Sequence, residues 1–384
     1  MNILLLSPYF PPNWGNFARA LNRVEANVFG LGDEPYDALS TELKSALTEY
    51  YRVSDLHKYD QLVRACGYFT HKYGKLDRIE SHNEYWLATD AALRTDFNVP
   101  GPKTADISLV KNKSRMKEIF RKAGIAVAPG QLVKDQLAAV GFAESVGYPV
   151  VVKPDIGVGA SATHKFKSED ELICFFNDKP ATEYLIEKFI AGKLYSFDGL
   201  TDQHGNIVFC TSHFFSQGIM EIVNEQLDMF YYSMRSLPDG LEEVGRKAVR
   251  AFDVRERFFH IEFFQVSPGD WVALEINMRP PGGLTMDMFN YANDIDLYQE
   301  WANIIVNNSF STEYTRPYHC AYIGRTNHRP YVLSHDDIIS QYRDTVVYYE
   351  QMSPILAPAL GNYGYVVRTP DLKTLQSIIT ALMA

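Results

Sequence analysis

HIEFFQVSPGDWVALEINMRPPGG, residues His260–Gly283, decides how the rest of the chain is read. An apolar run at Phe258–Val266 meets a Ser267-Pro268-Gly269-Asp270 turn, and a second run follows at Trp271–Met278. That pattern predicts a β-hairpin. Strand side chains alternate faces, so Val272, Leu274, Ile276 and Met278 are expected on an apolar face. Glu275, Asn277 and Arg279 take the other. A turn centred between Pro268 and Gly269 sets Glu262 directly opposite Glu275, with Cβ atoms ~4.5–5.5 Å apart. Two facing like charges destabilise a sheet unless something neutralises them. A hard divalent cation does so, and the all-oxygen set Glu262, Glu275 and Asn277 suits Mg²⁺ or Mn²⁺. Arg279, one step further along, is placed to meet a phosphate bidentately. A solvated polar face is the plainer alternative.

Working outward, the chain has 384 residues, enough for two or three domains. A formal net charge of −10 argues against nucleic-acid or anionic-membrane partners. Cys66, Cys174, Cys210 and Cys320 are scattered and form no metal-type cluster, so buried reduced thiols in a cytoplasmic protein are expected. No stretch approaches the ~18–20 apolar residues of a membrane span. Met1–Leu6 lacks a positive n-region and is too short for a signal h-region, so it is expected as a buried first strand.

Strand Ile3–Leu6, a loop through Gly15, a helix to Arg23 and a strand near Ala26–Leu31 open a doubly wound α/β domain. The loop after the first strand is rich in proline and aromatics and lacks GxGxxG, which excludes a dinucleotide site there. For Tyr9, Asn13 and Trp14 a substrate role and a structural role both stand open. NVPGP at Asn98–Pro102 marks the first domain boundary. Lys111–Ala123 reads as an amphipathic helix, with Lys113 in its first turn against the helix dipole. Lys153 closes the apolar run of GYPVVVKP, and a lysine there is rarely left unpaired. Gly157, Gly159 and Ser161 follow, small residues whose loop N–H groups can approach phosphates. The strand at Tyr184–Ile190 has a free edge that can read an adenine, with Glu187 accepting from the exocyclic amine. A hairpin from Leu194 to Phe214 and a helix at Leu241–Phe252 lead back to the opening stretch.

In this order, KNKSRMKEIFRKAGI, GYPVVVKP, the small-residue loop, EKFI at Glu187–Ile190 and the ExNxR strand resemble the ATP-grasp superfamily. The likeness is to its carboxylate–amine ligase, biotin-carboxylase-like and carbamoyl-phosphate-synthase-like branches, and it runs from about Lys111 to Gly283. The resemblance implies that Lys113 and Lys153 contact nucleotide phosphates under the loop Gly157–Thr163. It implies that Glu187 and the main chain of Lys188 and Ile190 hold adenine. Glu262, Glu275 and Asn277 would then bind the metal, with Arg279 by the transferred phosphoryl group. The acidic ribose contact of many relatives is replaced by Leu194, with Asp198 as a substitute.

The implied architecture is an α/β chain: a doubly wound domain at 1–102, an ATP-grasp domain of two α+β subdomains at 103–310 with a lid at about 128–192, and a small α/β extension at 311–384. The implied activity is ATP-dependent, ADP-forming ligation of small-molecule carboxylates and amines, with Mg²⁺ or Mn²⁺. Carboxylate–thiol or carbamate formation, and nucleotide binding without turnover, are the alternatives. Homodimers are common in families of this kind.

Overall fold

The structure, a computed structural model, describes residues 1–157, 162–179, 182–218, 220, 222 and 227–384. The first sheet holds β1 (Asn2–Leu6), β2 (Asn27–Gly32), β3 (Glu49–Arg52) and β4 (Arg78–Glu80) in the order β3-β2-β1-β4. All its pairings are parallel. Ile3, Leu4 and Leu6 are fully buried, as a parallel strand covered on both faces requires. Phe17 and Leu21 from helix Gly15–Arg23 cover one face, and Leu62, Phe69 and Leu93 from helices Tyr59–Tyr73 and Leu87–Asp96 cover the other. β3 is absent from the sequence reading: EYYR at a sheet edge shows no alternation to detect.

The second sheet is antiparallel: β5 (Gly130–Val133), β6 (Val150–Pro154), β7 (His164–Phe166) and β8 (Tyr184–Lys188), ordered β5-β8-β6-β7. Helix Gln136–Val146 lies against it. Asp135 caps that helix by accepting from the Ala138 N–H at 2.9 Å, and Gly147, at φ 75°, takes the left-handed turn that ends it.

The third sheet comprises β9 (Lys193–Thr201), β10 (Ile207–Phe215), β11 (Met229–Ser233), β12 (Phe258–Ser267), β13 (Asp270–Asn277), β14 (His319–Arg325), β15 (Val346–Gln351) and β16 (Tyr363–Thr369). Its order is β13-β12-β9-β10-β11-β14-β16-β15. The segment after residue 310 therefore extends the central sheet by three strands instead of building a sheet of its own. One face of β9, β12 and β13 carries Phe197, Phe259, Ile261, Phe263 and Ile276 against helices Lys113–Lys122 and Leu241–Ala251. The fit is tight: a Cβ on Gly245 would lie 2.2 Å from the Phe197 ring. A separate core holds Leu200, Phe209 and Phe258 of the same sheet; there Phe17 of the first unit packs edge-on against Phe258 and Trp301, so the N-terminal sheet and the central sheet share it.

The hairpin has the expected pairing at the acids, Glu262 with Glu275 and His260 with Asn277, but the faces differ in part. Register shifts fall between Glu262 and Phe263 and between Gln265 and Ser267. The first leaves Leu274 unpaired, as a β-bulge does, and alternation breaks there. Trp271, Ala273, Ile276 and Met278 line the core, while Val272 and Leu274 are only half-buried. Cys66, Cys210 and Cys320 are buried free thiols, but Cys174 is exposed, contrary to expectation. Among the described residues no helix is long and apolar enough to cross a membrane.

Candidate functional site

The polar face of the central sheet meets the lid at one cleft. On β12 and β13, Glu262 and Glu275 stand opposite one another, with Asn277 two residues further along. The Asn277 amide donates to Glu275 Oε1 at 3.4 Å, and Glu275 has no ion-pair partner among the described residues. Burial works to raise the Glu275 pKa, yet Lys113 and Lys153 nearby pull it below its ordinary value. Among the described residues no three or more His, Cys, Asp or Glu side chains gather as a metal site. What the strands present is two carboxylates and an amide oxygen. The unbridged carboxylate and the all-oxygen donor set fit a hard divalent cation.

The lysines come from two elements. Residue pairing sets Val151 against Glu187 and Lys153 against Leu185, so Lys153 and Glu187 are diagonal neighbours on one face. Lys153 Nζ lies 2.6 Å from Glu187 Oε2, and Lys117 Nζ lies 2.6 Å from Oε1. Burial alone would raise the Glu187 pKa; the two ammonium groups override it and hold the carboxyl at about 2. Burial lowers the Lys117 pKa despite Glu187. Lys153, equally buried, is raised because Glu187, Glu275 and Glu262 all favour its charge. One carboxylate thus faces two cations, and the surplus positive charge points at the acidic pair.

Lys113 begins its helix, and its Nζ donates to the Gly157 carbonyl at 3.2 Å. Asp155 explains how a cation is tolerated at that end. Its carboxylate accepts from the Ser114 N–H at 2.8 Å, the Asn112 amide at 2.9 Å and the Ser114 hydroxyl at 3.0 Å. An anion thereby offsets the helix dipole. Gly159 and Ser161 lie outside the described residues.

Two expectations need correction and one narrows. The Glu187 side chain is not open to an adenine amine, because both its oxygens are held by lysines and it is 3% exposed. At the hinge the Lys188 N–H is bonded to the Pro129 carbonyl and that of Phe189 to Pro149, so the open main-chain donor among the described residues is that of Ile190. Asp198 cannot serve a ribose, since it is fully buried and shared by His213 at 2.8 Å and His260 at 2.5 Å.

Arg279 lies beyond the end of β13 and crosses to the N-terminal unit, where its Nη2 meets Glu84 at 2.5 Å. Its Nη1 donates to the Pro280 carbonyl at 2.9 Å, and its buried Nε has no partner among the described residues. The glycine pair beyond it is tied to the first loop: the Asn13 amide donates to the Gly283 carbonyl at 3.1 Å and to Asp287 at 2.8 Å. Burial pushes the Asp287 carboxyl up to about 6.

The sequence reading missed Lys117, Glu84 and the imidazole of His260. Burial would lower the pKa of His260, but Asp198 and Glu262 push it up to about 10, while the Asp198 carboxyl falls far below the usual range. The signal for His260 was present: it stands two positions before Glu262, on the same strand face.

Residues 112–219 match the family described as carbamoyl-phosphate synthase L chain, ATP binding domain. That match takes in a little over a quarter of the chain, the stretch from Asn112 onward. It is similar to the L-arginine-specific L-amino acid ligase of Bacillus subtilis, 25% identical over 244 residues that span 61% of this chain and 59% of that one. It is also similar to the biotin carboxylase of a Nostoc species, 28% identical over 202 residues, 47% of this chain and 42% of that one. The chain thus spans about three fifths and two fifths of these curated relatives. Among solved structures, an L-amino acid ligase from Bacillus licheniformis superposes with a TM-score of 0.77 at 15% identity, covering 99% of this chain and 96% of the other. N5-carboxyaminoimidazole synthetase from Staphylococcus aureus complexed with ADP gives 0.71 at 16% identity, covering 100% and 97%. At these identities the likeness is one of fold, and that fold is ATP-grasp.

Proposed function

We propose that this chain is an ATP-dependent, ADP-forming ligase that joins a small-molecule carboxylate to an amine. The observation that carries the proposal is the facing pair Glu262 and Glu275, with no ammonium among the described residues bridging it, set beneath a surplus of lysine charge. A carboxylate oxygen of the first substrate attacks the γ-phosphorus of ATP; the β,γ-bridging P–O bond breaks and ADP leaves. The amine nitrogen then attacks the acyl carbon, inorganic phosphate departs, and the nitrogen loses a proton to solvent. Phosphoryl transfer of this kind needs positioning and charge neutralisation and no protein nucleophile.

In this reading Lys113 and Lys153 neutralise the phosphates under the loop of Gly157, Gly159 and Ser161. The Ile190 N–H and the main chain of Lys188 receive the adenine. Glu262, Glu275 and Asn277 would hold Mg²⁺, with Mn²⁺ as a substitute, and that cation supplies charge neutralisation when bound. Arg279 orients the acceptor carboxylate or the moving phosphoryl group. Lys117 has a supporting part: it shares Glu187 with Lys153 and so keeps the second lysine in place. We assign residues 1–102 to the substrate wall, 103–310 to nucleotide binding and 311–384 to support of the sheet, in a cytoplasmic protein that forms homodimers.

The test is a screen of ADP and phosphate release over paired carboxylates and amines, followed by ¹⁸O-labelled carboxylate with the active pair. Label in the released phosphate supports the acyl phosphate. AMP as product, or label retained wholly in the ligated product, removes it. Carbamate formation is the second reading, favoured by the likeness to the Nostoc biotin carboxylase; bicarbonate-dependent ADP release distinguishes it.

A further inference from the structure

Behind the acidic pair the polar face of the sheet holds a second layer that the proposed chemistry does not use. The strand registers set His213, Ser196, Glu262 and Glu275 in one cross-strand row, and Asp198, His260 and Asn277 in the next. Asp198 lies at the centre, fully buried. Its Oδ2 accepts from the Ser196 hydroxyl at 2.5 Å and meets His213 Nδ1 at 2.8 Å. Its Oδ1 meets His260 Nδ1 at 2.5 Å. The other nitrogen of His260, Nε2, faces Glu262 Oε1 at 3.2 Å. The imidazole is therefore held at both ends by carboxylate oxygens. One of these carboxylates is buried and fixed; the other belongs to the facing pair. Glu262 Oε2 has no partner among the described residues.

We propose that His260, anchored by Asp198, is the positioning residue for Glu262. A glutamate side chain has three rotatable bonds, and next to Glu275 repulsion would swing it away. The imidazole fixes Oε1 and turns Oε2 toward the space shared with Glu275 and Asn277. The arrangement orders a ligand before any cation arrives, as outer-shell hydrogen bonds do at metal sites generally. His213 and Ser196 complete the anchor by meeting Oδ2, so that both oxygens of Asp198 are held and its carboxylate is fixed. This inference rests on the reading of Glu262 and Glu275 as cation ligands.

The experiment measures binding, not turnover, on the full chain. Mn²⁺ affinity is followed by the spin-resonance signal of the free ion in the presence of ADP, and ADP is titrated calorimetrically in metal-free buffer. Glu275→Gln is the reference and His260→Ala the test. His260→Gln, whose amide can still donate to Glu262, is the conservative variant. Outer-shell substitutions at metal sites cost about 10–100-fold in metal affinity. His260→Ala is expected to lose Mn²⁺ affinity within that range, with metal-free ADP affinity unchanged and part of the loss recovered in His260→Gln. A merely structural histidine would lower the melting temperature and leave the Mn²⁺ affinity of the folded fraction as in the parent. That result overturns the inference while the cation site stands, provided Glu275→Gln has lost Mn²⁺. If Glu275→Gln binds Mn²⁺ normally, the cation site itself falls and the inference with it. Should His260→Ala fail to fold, His260→Gln and Asp198→Asn decide on the same measure: normal Mn²⁺ affinity in both overturns the inference, and weakened affinity in either supports it.

Discussion

Two charge clusters in this molecule both set glutamates against cationic side chains and differ in how their charges are matched. At the seam between the N-terminal unit and the central sheet, Glu80 stands between Arg94 at 2.7 Å and Arg257 at 3.3 Å, and Arg78 pairs with Glu256 at 2.7 Å. Burial would raise the Glu80 pKa, but the arginines hold it below its ordinary value. Every one of these carboxylates has a guanidinium partner inside the protein. On the polar face of the sheet the charges are not matched: among the described residues Glu275 has no cation within ion-pair reach, and Glu187 has two lysines. Burial alone therefore does not mark a ligand site. A mismatch of partners does, because charge left over in a low-dielectric cleft is stable only when a ligand completes it.

The contrast predicts opposite responses to removing one charge. Arg94→Ala at the closed seam strands a buried carboxylate and should destabilise the fold by about 3–5 kcal/mol, read as a lowered urea midpoint, with nucleotide affinity of the folded fraction unchanged. Glu275→Gln at the open cluster should move the melting temperature little, because relief of the repulsion with Glu262 is offset by lost attraction to Lys113 and Lys153. It should reduce turnover to background, and calorimetry should show a larger loss for Mg-ATP than for metal-free ATP. Equal losses in both titrations would remove Glu275 from the metal set and with it the contrast.

Lys153→Ala tests the surplus. If this lysine serves the phosphates, nucleotide affinity falls by roughly 1.5–3 kcal/mol, the scale of one charge-assisted contact. A fall in stability with unchanged ATP affinity would make Lys153 a partner of Glu187 only. The pH response of stability tests the same ion pair. Glu187 is held at about 2, below its ordinary 4.5. Its contribution to stability is therefore complete above the unfolded value and is lost as pH falls from about 4.5 through 2, at no more than about 1.4 kcal/mol per pH unit for one proton. In Glu187→Gln the acid limb of stability against pH should be correspondingly shallower; an unchanged limb would mean that other carboxylates govern it.

What was legible in the sequence was local. The hairpin turn at Pro268-Gly269 fixes the Glu262–Glu275 pairing through a few residues, and it could be read from spacing alone. The bulge at Leu274 could not, since it changes the faces without changing the ends. Lys117 and Glu187 are separated by a whole subdomain in sequence, as are Asp198 and His260, so their meetings depend on how strands from distant segments stack. Arg279 was expected on the strand face, but it turns to Glu84, a partner nearly two hundred residues away, |i−j| = 195. The C-terminal strands gave no pattern that assigned them to the central sheet, because pairing β14 with β11 spans the intervening hairpin and helices. Chemistry carried by neighbouring residues was visible; chemistry made by tertiary pairing was not.

The smallest expected effect concerns an apparent exception to the contrast. Asp155 is buried at 3% exposure and, among the described residues, accepts only from neutral donors, Ser114 N–H, the Asn112 amide and the Ser114 hydroxyl. By partner count it should be a ligand site like Glu275. It differs because the donors sit on the first turn of helix Lys113–Lys122, whose N-terminus carries a partial positive charge. The helix end takes the place of a cation, and the charge is matched without a ligand. Asp155→Ala should then cost what an N-cap costs, about 0.5–2 kcal/mol of stability, and Asp155→Asn, which keeps the acceptor oxygen, less. Because Lys113 rides on the same turn, ATP affinity should weaken by less than about tenfold, the equivalent of 1.4 kcal/mol, and equally with and without Mg²⁺. A selective loss of the Mg²⁺-dependent part would place Asp155 among the cation ligands, and partner count would then outrank the helix end as the guide to where this protein binds charge.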